Sequence, residues 1–202
     1  MIVAGLTGSI AMGKSTVAGM FIALGCAVFD ADAAVRDFYA AEGSSLVEAI
    51  FPGVLVDGAV SRERLAARVL TEGDAMTRLE AVVHPAVAAR RYSFLKHASR
   101  AGCRLAFCDI PLLFETGAEQ ALDLVVVVSA APRVQRARAL AREGATIAKF
   151  EAVLARQMPD IEKRRRAHFV IDTNGSLDES RAQAVGLIRA MAALPSGGVG
   201  DA

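Results

Sequence analysis

Residues 8–15 read Gly8-Ser9-Ile10-Ala11-Met12-Gly13-Lys14-Ser15. They follow a short apolar run, Ile2-Val3-Ala4-Gly5-Leu6, and precede a stretch in which Val17, Met20, Phe21 and Leu24 recur at i, i+3, i+4 and i+7. Strand, glycine loop and amphipathic helix in that order is the setting in which G-x-x-x-x-G-K-[ST] holds a phosphate chain. The loop's N–H groups and the first turn of the helix concentrate partial positive charge. Lys14 adds a full charge for the β- and γ-phosphates, the Ser15 hydroxyl is placed for Mg²⁺, and Thr16 offers a further hydroxyl. A nucleoside triphosphate is therefore the expected ligand, held by Gly8, Ser9, Ile10, Ala11, Met12, Gly13, Lys14, Ser15 and Thr16. ATP is expected over GTP because the chain has no N-K-x-D guanine motif.

The rest of the chain alternates short β-branched runs with longer segments of helical period, the pattern of a parallel sheet covered on both faces. Strands are expected at residues 2–6, 27–30, 104–109, 124–129 and 168–172. Leu124-Val125-Val126-Val127-Val128 has no polar alternation, as a central strand buried on both faces requires. The first helix is expected to begin at Gly13 and end before Gly25. About seventy residues between the second and third strands exceed what a crossover needs and predict a helical lobe. In that lobe Asp57-Gly58 is a turn signal, Ser61 caps a helix through Leu70, and His84-Pro85 interrupts the next helix. Residues 130–159 form a second, arginine-rich insertion, with helices near 132–142 and 146–158 broken at Gly144. A last helix is expected near 177–194, followed by a frayed tail from Pro195.

The carboxyl ends of the strands should carry the chemistry, because ligands of open α/β sheets lie there. Asp30-Ala31-Asp32 ends the second strand. A carboxylate at that place can orient an attacking hydroxyl and accept its proton, and Asp32, further along the loop, is the choice for that role; the competing reading is that these acids cap the next helix. Asp109 ends the third strand and can hold Mg²⁺ beside Ser15, with helix capping again the competitor. Arg138 and Arg142, spaced i, i+4, can supply positive charge to a migrating phosphoryl group. Arg133, Arg136 and the run Lys163-Arg164-Arg165-Arg166 read as solvated faces. His84 could contact a substrate, though a histidine in a helical segment is more often structural. The Asn174-Gly175 turn can offer backbone groups to an adenine.

Composition excludes several alternatives. Lys+Arg 23 against Asp+Glu 22 gives a net charge of +1, without the basic field that drives non-specific nucleic-acid binding. Cys26, Cys103 and Cys108 lack redox or zinc spacing and read as reduced, mostly buried thiols. No apolar run approaches a membrane span and the first residues lack a basic signal-peptide start, so a cytoplasmic protein with no membrane association and no obligate protein partner is expected.

Taken together, these segments resemble the dephospho-CoA kinase family over nearly the whole chain. The resemblance rests on Leu6-Thr7-Gly8 through Thr16, Asp30-Ala31-Asp32, His84-Pro85, Asp109-Ile110-Pro111-Leu112-Leu113-Phe114-Glu115, Gln135 with Arg138 and Arg142, Gln157, and Ile171-Asp172-Thr173-Asn174-Gly175-Ser176. It implies an α/β fold, a P-loop NTPase-type parallel sheet sandwiched by helices, with a helical acceptor-binding insertion and a helical lid. The implied partition of this one kinase domain is a core at about 1–30, 103–130 and 167–194, an acceptor lobe at about 31–102, a lid at about 131–166 and a flexible tail at 195–202. It also implies transfer of the ATP γ-phosphate to the ribose 3′-hydroxyl of dephospho-CoA, with Mg²⁺. Asp32 would be the base, and Lys14 and Arg142 catalytic. Arg138 and Asn174 would join the loop in binding ATP. His84, Pro111 and Leu112 would join Asp32 on the acceptor, and Ser15 and Asp109 would hold the metal. Two departures stand out: Ala11 replaces a usual glycine, at a cost of about 1 kcal/mol if residue 11 needs a positive φ, and Glu143 replaces a usual aspartate. A shikimate kinase-like enzyme and an NTP-dependent switch module are the rival readings. The D-I-P-L-L-F-E segment and the long acceptor lobe argue against the first.

Overall fold

The structure, a computed structural model, describes residues 1–194; the tail expected at 195–202 lies outside the described residues. Two compact units partition the described residues, one from residues 1–29 and 98–194, the other from residues 30–97.

The first unit is built on a five-stranded sheet. Its strands are β1 (Ile2–Thr7), β2 (Ala27–Asp30), β5 (Leu105–Asp109), β6 (Leu124–Ser129) and β7 (Phe169–Asp172), in the order β2-β5-β1-β6-β7. β1 pairs in parallel with β5, Ile2 opposite Leu105, and with β6, Ala4 opposite Leu124; β6 pairs in parallel with β7. Every residue of β1 and β5 is buried, as is β6 from Val125 onward, so their apolar runs continue without alternation. Helices α1 (Lys14–Ala23) and α9 (Leu177–Ala192) contribute Val17, Phe21, Ala184, Leu187 and Met191 to the core with Leu6, Phe107 and Val126. The rings of Phe21 and Phe107 stack with centroids 3.8 Å apart and planes 7° from parallel. α9 starts in a capping box: the Glu179 N–H donates to the Ser176 hydroxyl, and the Ser176 N–H to the Glu179 carboxylate.

After β6 come α6 (Pro132–Leu140), α7 (Ile147–Leu154) and α8 (Asp160–Arg166). Proline at the first position starts α6, and the Thr146 hydroxyl accepts the Lys149 N–H at the start of α7. α7 is shorter than the expected helix near 146–158, because Met158-Pro159 cannot continue it and its preceding turn is closed by backbone bonds from Arg156 to Val153 and Gln157 to Leu154.

The second unit comprises α2 (Ala31–Ala40), α3 (Gly43–Ile50), a two-stranded hairpin of β3 (Leu55–Val56) and β4 (Ala59–Val60), α4 (Arg62–Thr71) and most of α5 (Ala75–Arg100). Asp57 (φ 51°) and Gly58 (φ 80°) make the hairpin turn, both left-handed as a two-residue turn of the right twist requires. Ser61 caps α4 by accepting the Arg64 N–H. Phe38, Val47, Phe51, Leu65, Leu79 and Val83 fill the interior.

One expectation fails here. α5 runs unbroken through His84-Pro85. Pro85 removes one helical bond, to the Ala81 carbonyl, at about 3 kcal/mol. Leu79, Val82 and Val83 before it and Ala86 and Val87 after it join the same apolar cluster, so burial on both sides carries the helix through.

Candidate active site

β1 delivers the chain into the phosphate loop in a fixed direction. The Thr7 hydroxyl donates to the Pro111 carbonyl at 3.1 Å, and a Cβ on Gly8 would lie 2.6 Å from the Val128 carbonyl oxygen. Only glycine lets the loop pass that close to β6. Gly13 then takes φ 93° and ψ 15° and opens α1 without any side-chain cap. Among the described residues, the N–H groups of Gly13, Lys14, Ser15 and Thr16 find no acceptor in the chain. They leave the positive end of α1 open to an anion. Lys14 pairs with the carboxylate of Asp109 at the end of β5, with 16% and 9% of the two side chains exposed. Ser15 and Thr16 are exposed beside it. Asp109 thus meets Lys14.

The crown of the loop is held differently. The Ile10 N–H donates to Gln157 Oε1 and the Ile10 carbonyl accepts from Gln135 Nε2, each at 2.9 Å. The Met12 N–H donates to the Ser9 carbonyl at 3.2 Å. Ala11, at φ 61°, is left-handed, and its methyl is buried in a small cluster with Ala139 and Phe150. Apart from the family resemblance, nothing in the sequence points to a role for either glutamine.

Beside α1 lies a cleft of about 240 Å³, lined by Gly13, Thr16, Arg138, Arg142, Gly175 and Leu177 among others. Arg138 reaches it from α6, its guanidinium donating to the Thr173 hydroxyl at 3.0 Å and the Thr173 carbonyl at 2.6 Å. The same hydroxyl donates to the Met12 carbonyl at 2.7 Å, linking arginine, β7 and loop. Arg142 stands just past the end of α6, exposed, and also lines the cleft. Asn174 is engaged otherwise: its Oδ1 accepts the Ala131 N–H at 2.6 Å and its Nδ2 donates to Asp172 at 3.0 Å.

The remaining expected site residues are distributed over both units. Asp30 is the N-cap of α2, its carboxylate accepting the Ala33 N–H at 2.9 Å. Asp32 was expected on a loop, but lies in the first turn of α2 with its carboxyl exposed, because the Asp30 cap starts the helix one residue earlier. His84 is exposed on α5. In the first unit Pro111 is half-buried and Leu112 exposed, on the turn after β5. No disulfide joins the three thiols; Cys108 is buried and Cys26 and Cys103 are half-buried.

A second expectation fails at the basic run. Lys163 is fully buried, not solvated, and its ammonium lies 2.8 Å from Glu115 Oε1. That carboxylate also accepts the Met158 N–H at 2.7 Å. Burial by itself would raise the Glu115 pKa, but the bonds from Lys163 and Met158 outweigh it and hold the carboxyl below its ordinary value. Glu115 closes the D-I-P-L-L-F-E segment, so this ion pair fastens α8 to the turn after β5. Arg166 adds an outer contact, 2.8 Å from Glu119 and stacked over the Phe114 ring at 4.8 Å.

The family model described as dephospho-CoA kinase matches residues 1–179. The chain belongs to the dephospho-CoA kinase family. A dephospho-CoA kinase of Rhodopseudomonas palustris is 52% identical over 195 residues, which cover 96% of this chain and 98% of the relative. One of Brucella melitensis is 50% identical over 97% and 98%. A solved protein of Thermus thermophilus superposes with a TM-score of 0.82 at 36% identity, covering 94% of this chain and 96% of its own. The P-loop kinase fold and its parallel sheet are thus those of the family, and the chain is a kinase and a transferase. No helix among the described residues is long and apolar enough to cross a membrane.

Proposed function

We propose that this chain transfers the γ-phosphate of ATP to the ribose 3′-hydroxyl of dephospho-CoA, making coenzyme A in the last step of its biosynthesis in the cytoplasm. The observation that carries the reading is the open N-terminus of α1, four unclaimed N–H groups beside Lys14, in a chain of this family. Such a cradle suits the phosphates of ATP, and the cleft beside it, lined by Gly175 and the exposed Leu177, suits the adenine. The backbone of the Asn174-Gly175 turn is the expected source of base contacts, since the Asn174 amide is already engaged.

Mg²⁺ fits the donors at hand. Ser15 offers a hydroxyl at the start of α1 and Asp109 a carboxylate next to Lys14, and a hard cation that keeps phosphate and water oxygens needs only one or two protein ligands. When bound, the ion neutralises charge on the phosphates.

In the transfer, the 3′-oxygen forms a bond to the γ-phosphorus as the bond from that phosphorus to the β–γ bridging oxygen breaks, and ADP departs. The hydroxyl proton passes to Asp32, whose position matters more than its basicity in a loose transition state. Lys14 and the α1 N–H groups hold the β- and γ-phosphates. Arg142 and Arg138 add positive charge around the migrating group. The helical lobe at about 31–102 would carry the acceptor, His84, Pro111 and Leu112 would each contribute to its binding, and the segment at about 131–166 would serve as the lid.

The test mixes the protein with ATP, Mg²⁺ and dephospho-CoA and reads the product by mass spectrometry, with Asp32→Asn alongside. The expected result is CoA from the wild type and at least a hundredfold less from the variant, the range for loss of a general base. A folded, ATP-binding protein that forms no CoA would defeat the acceptor assignment, and undiminished turnover in the variant would remove Asp32 as base.

A further inference from the structure

Two side-chain amides grip one residue of the phosphate loop from both faces of its main chain. Gln157 takes the Ile10 N–H and Gln135 the Ile10 carbonyl, both at 2.9 Å, and Gln135 is itself only 4% exposed. The chemistry fixes which end of each amide is used: an N–H can only donate, so Gln157 presents oxygen, and a carbonyl can only accept, so Gln135 presents its NH₂. A trans peptide points its carbonyl and N–H in opposite directions. Holding the Ile10 carbonyl therefore aims the Ala11 N–H away from Gln135. Holding the Ile10 N–H likewise aims the Ser9 carbonyl, which receives the Met12 N–H. Two successive peptide planes of the loop are set by residues more than a hundred positions away.

The residue that follows makes this grip consequential. Ala11 sits at φ 61°, a conformation that an L-residue with a Cβ disfavours. Turning over the Ile10–Ala11 peptide plane would release Ala11 to negative φ. It would also reverse the Ala11 N–H and put the negative end of a carbonyl where the N–H had been. With glycine at position 11 that drive would be absent, because glycine takes both signs of φ.

We infer that Gln135 and Gln157 are positioning residues for phosphoryl transfer: they prevent the Ile10–Ala11 peptide from turning over, and so keep the loop in the form that binds triphosphate. The packing of the Ala11 methyl with Ala139 and Phe150 acts in the same sense from α6 and α7. Loop shape is thereby tied to the helices after β6. The inference rests on ATP binding at this loop, so its readouts are chosen to be separable from acceptor chemistry.

Calorimetric ATP affinity and backbone amide exchange are measured for the wild type, Gln157→Leu, Gln135→Leu and Gln135→Leu/Ala11→Gly, each checked for cooperative unfolding. Gln157→Leu is expected to speed exchange at the Ile10 amide while the β1 amides stay protected. Each single variant is expected to weaken ATP binding roughly five- to tenfold, the range for one lost neutral hydrogen bond to a held group. The double variant is expected to recover most of the Gln135→Leu loss, which a merely structural role for Gln135 would not produce. Unchanged affinity in both single variants, or no recovery in the double variant, overturns the inference. A wild type that binds ATP but makes no CoA leaves it standing and defeats only the acceptor assignment, whereas a wild type that binds no ATP overturns both.

Discussion

Replacing Lys163 by methionine removes the charge that meets Glu115 in a nearly dry setting. The lysine is 0% exposed and the glutamate side chain 17%, with Glu115 Oε2 already lacking a hydrogen-bond partner. Breaking a buried pair from one side costs about 3–5 kcal/mol, and the residual exposure of Glu115 puts this case at the lower end, about 3 kcal/mol. In a chain of this length each kcal/mol moves the melting temperature by about 2–4 °C, so a fall of about 6–12 °C is expected. Thermal unfolding followed by circular dichroism reads it. Glu115→Gln/Lys163→Met should recover most of the loss, since it leaves no unpaired charge. The acid side gives an independent sign. Because the Glu115 pKa lies below its ordinary 4.5, its contribution is complete above that value and disappears as pH falls through the lowered one. Glu115→Gln should therefore flatten the acid limb of the stability curve. A Lys163→Met protein that melts within about 1 °C of wild type at neutral pH would refute the assignment of Lys163 as a buried anchor of α8.

Two further substitutions probe the backbone. Ala11→Gly relieves about 1–2 kcal/mol of left-handed strain but loses about 0.8 kcal/mol of methyl burial and about 0.5–1 kcal/mol of chain entropy, so its unfolding free energy should stay within about 1 kcal/mol of wild type; a loss above about 2 kcal/mol in denaturant titration would show that the methyl packing dominates. Pro85→Ala restores an N–H for the Ala81 carbonyl inside α5 and should stabilise the helical unit by about 1–3 kcal/mol, read as a raised denaturation midpoint; an unchanged or lower midpoint would mean that α5 already accommodates the proline without loss.

The sheet was legible because its information is local. Ile2, Val3, Phe107, Val126 and Val127 lie in continuous apolar runs that only a strand covered on both faces tolerates, and the expected strands agree with the observed ones to within a residue at either end. The Ser61 cap was equally readable, since a cap and its target N–H lie three residues apart. Pro85 and Lys163 misled for the opposite reason. Proline's cost is local, but the apolar contacts that exceed it come from residues as far off as Phe38 and Val47. Lys163 sits in a run of four basic residues that looks like a solvated face, and its partner Glu115 is forty-eight positions earlier.

The same division runs through the candidate site. The groups that would meet phosphate lie within one loop and one helical turn, and most are main-chain N–H groups, so eight residues of sequence suffice to announce them. What holds those groups in place is distributed. Gln135 and Gln157 sit at unremarkable polar positions of an arginine-rich segment, and Thr173 reaches the Met12 carbonyl from the far end of β7. The left-handed requirement at residue 11 could be posed from sequence as a question about glycine, but its answer, φ 61°, concerns the side chains around the loop more than the residue itself. A strained alanine persists only where its surroundings over-determine the backbone. Here they do so with two hydrogen bonds to the neighbouring residue and an apolar seat for the methyl, and all three come from the helical segment after β6. A substitution at Gln135 or Gln157 should therefore register first as a change in phosphate affinity, before it registers as a loss of fold.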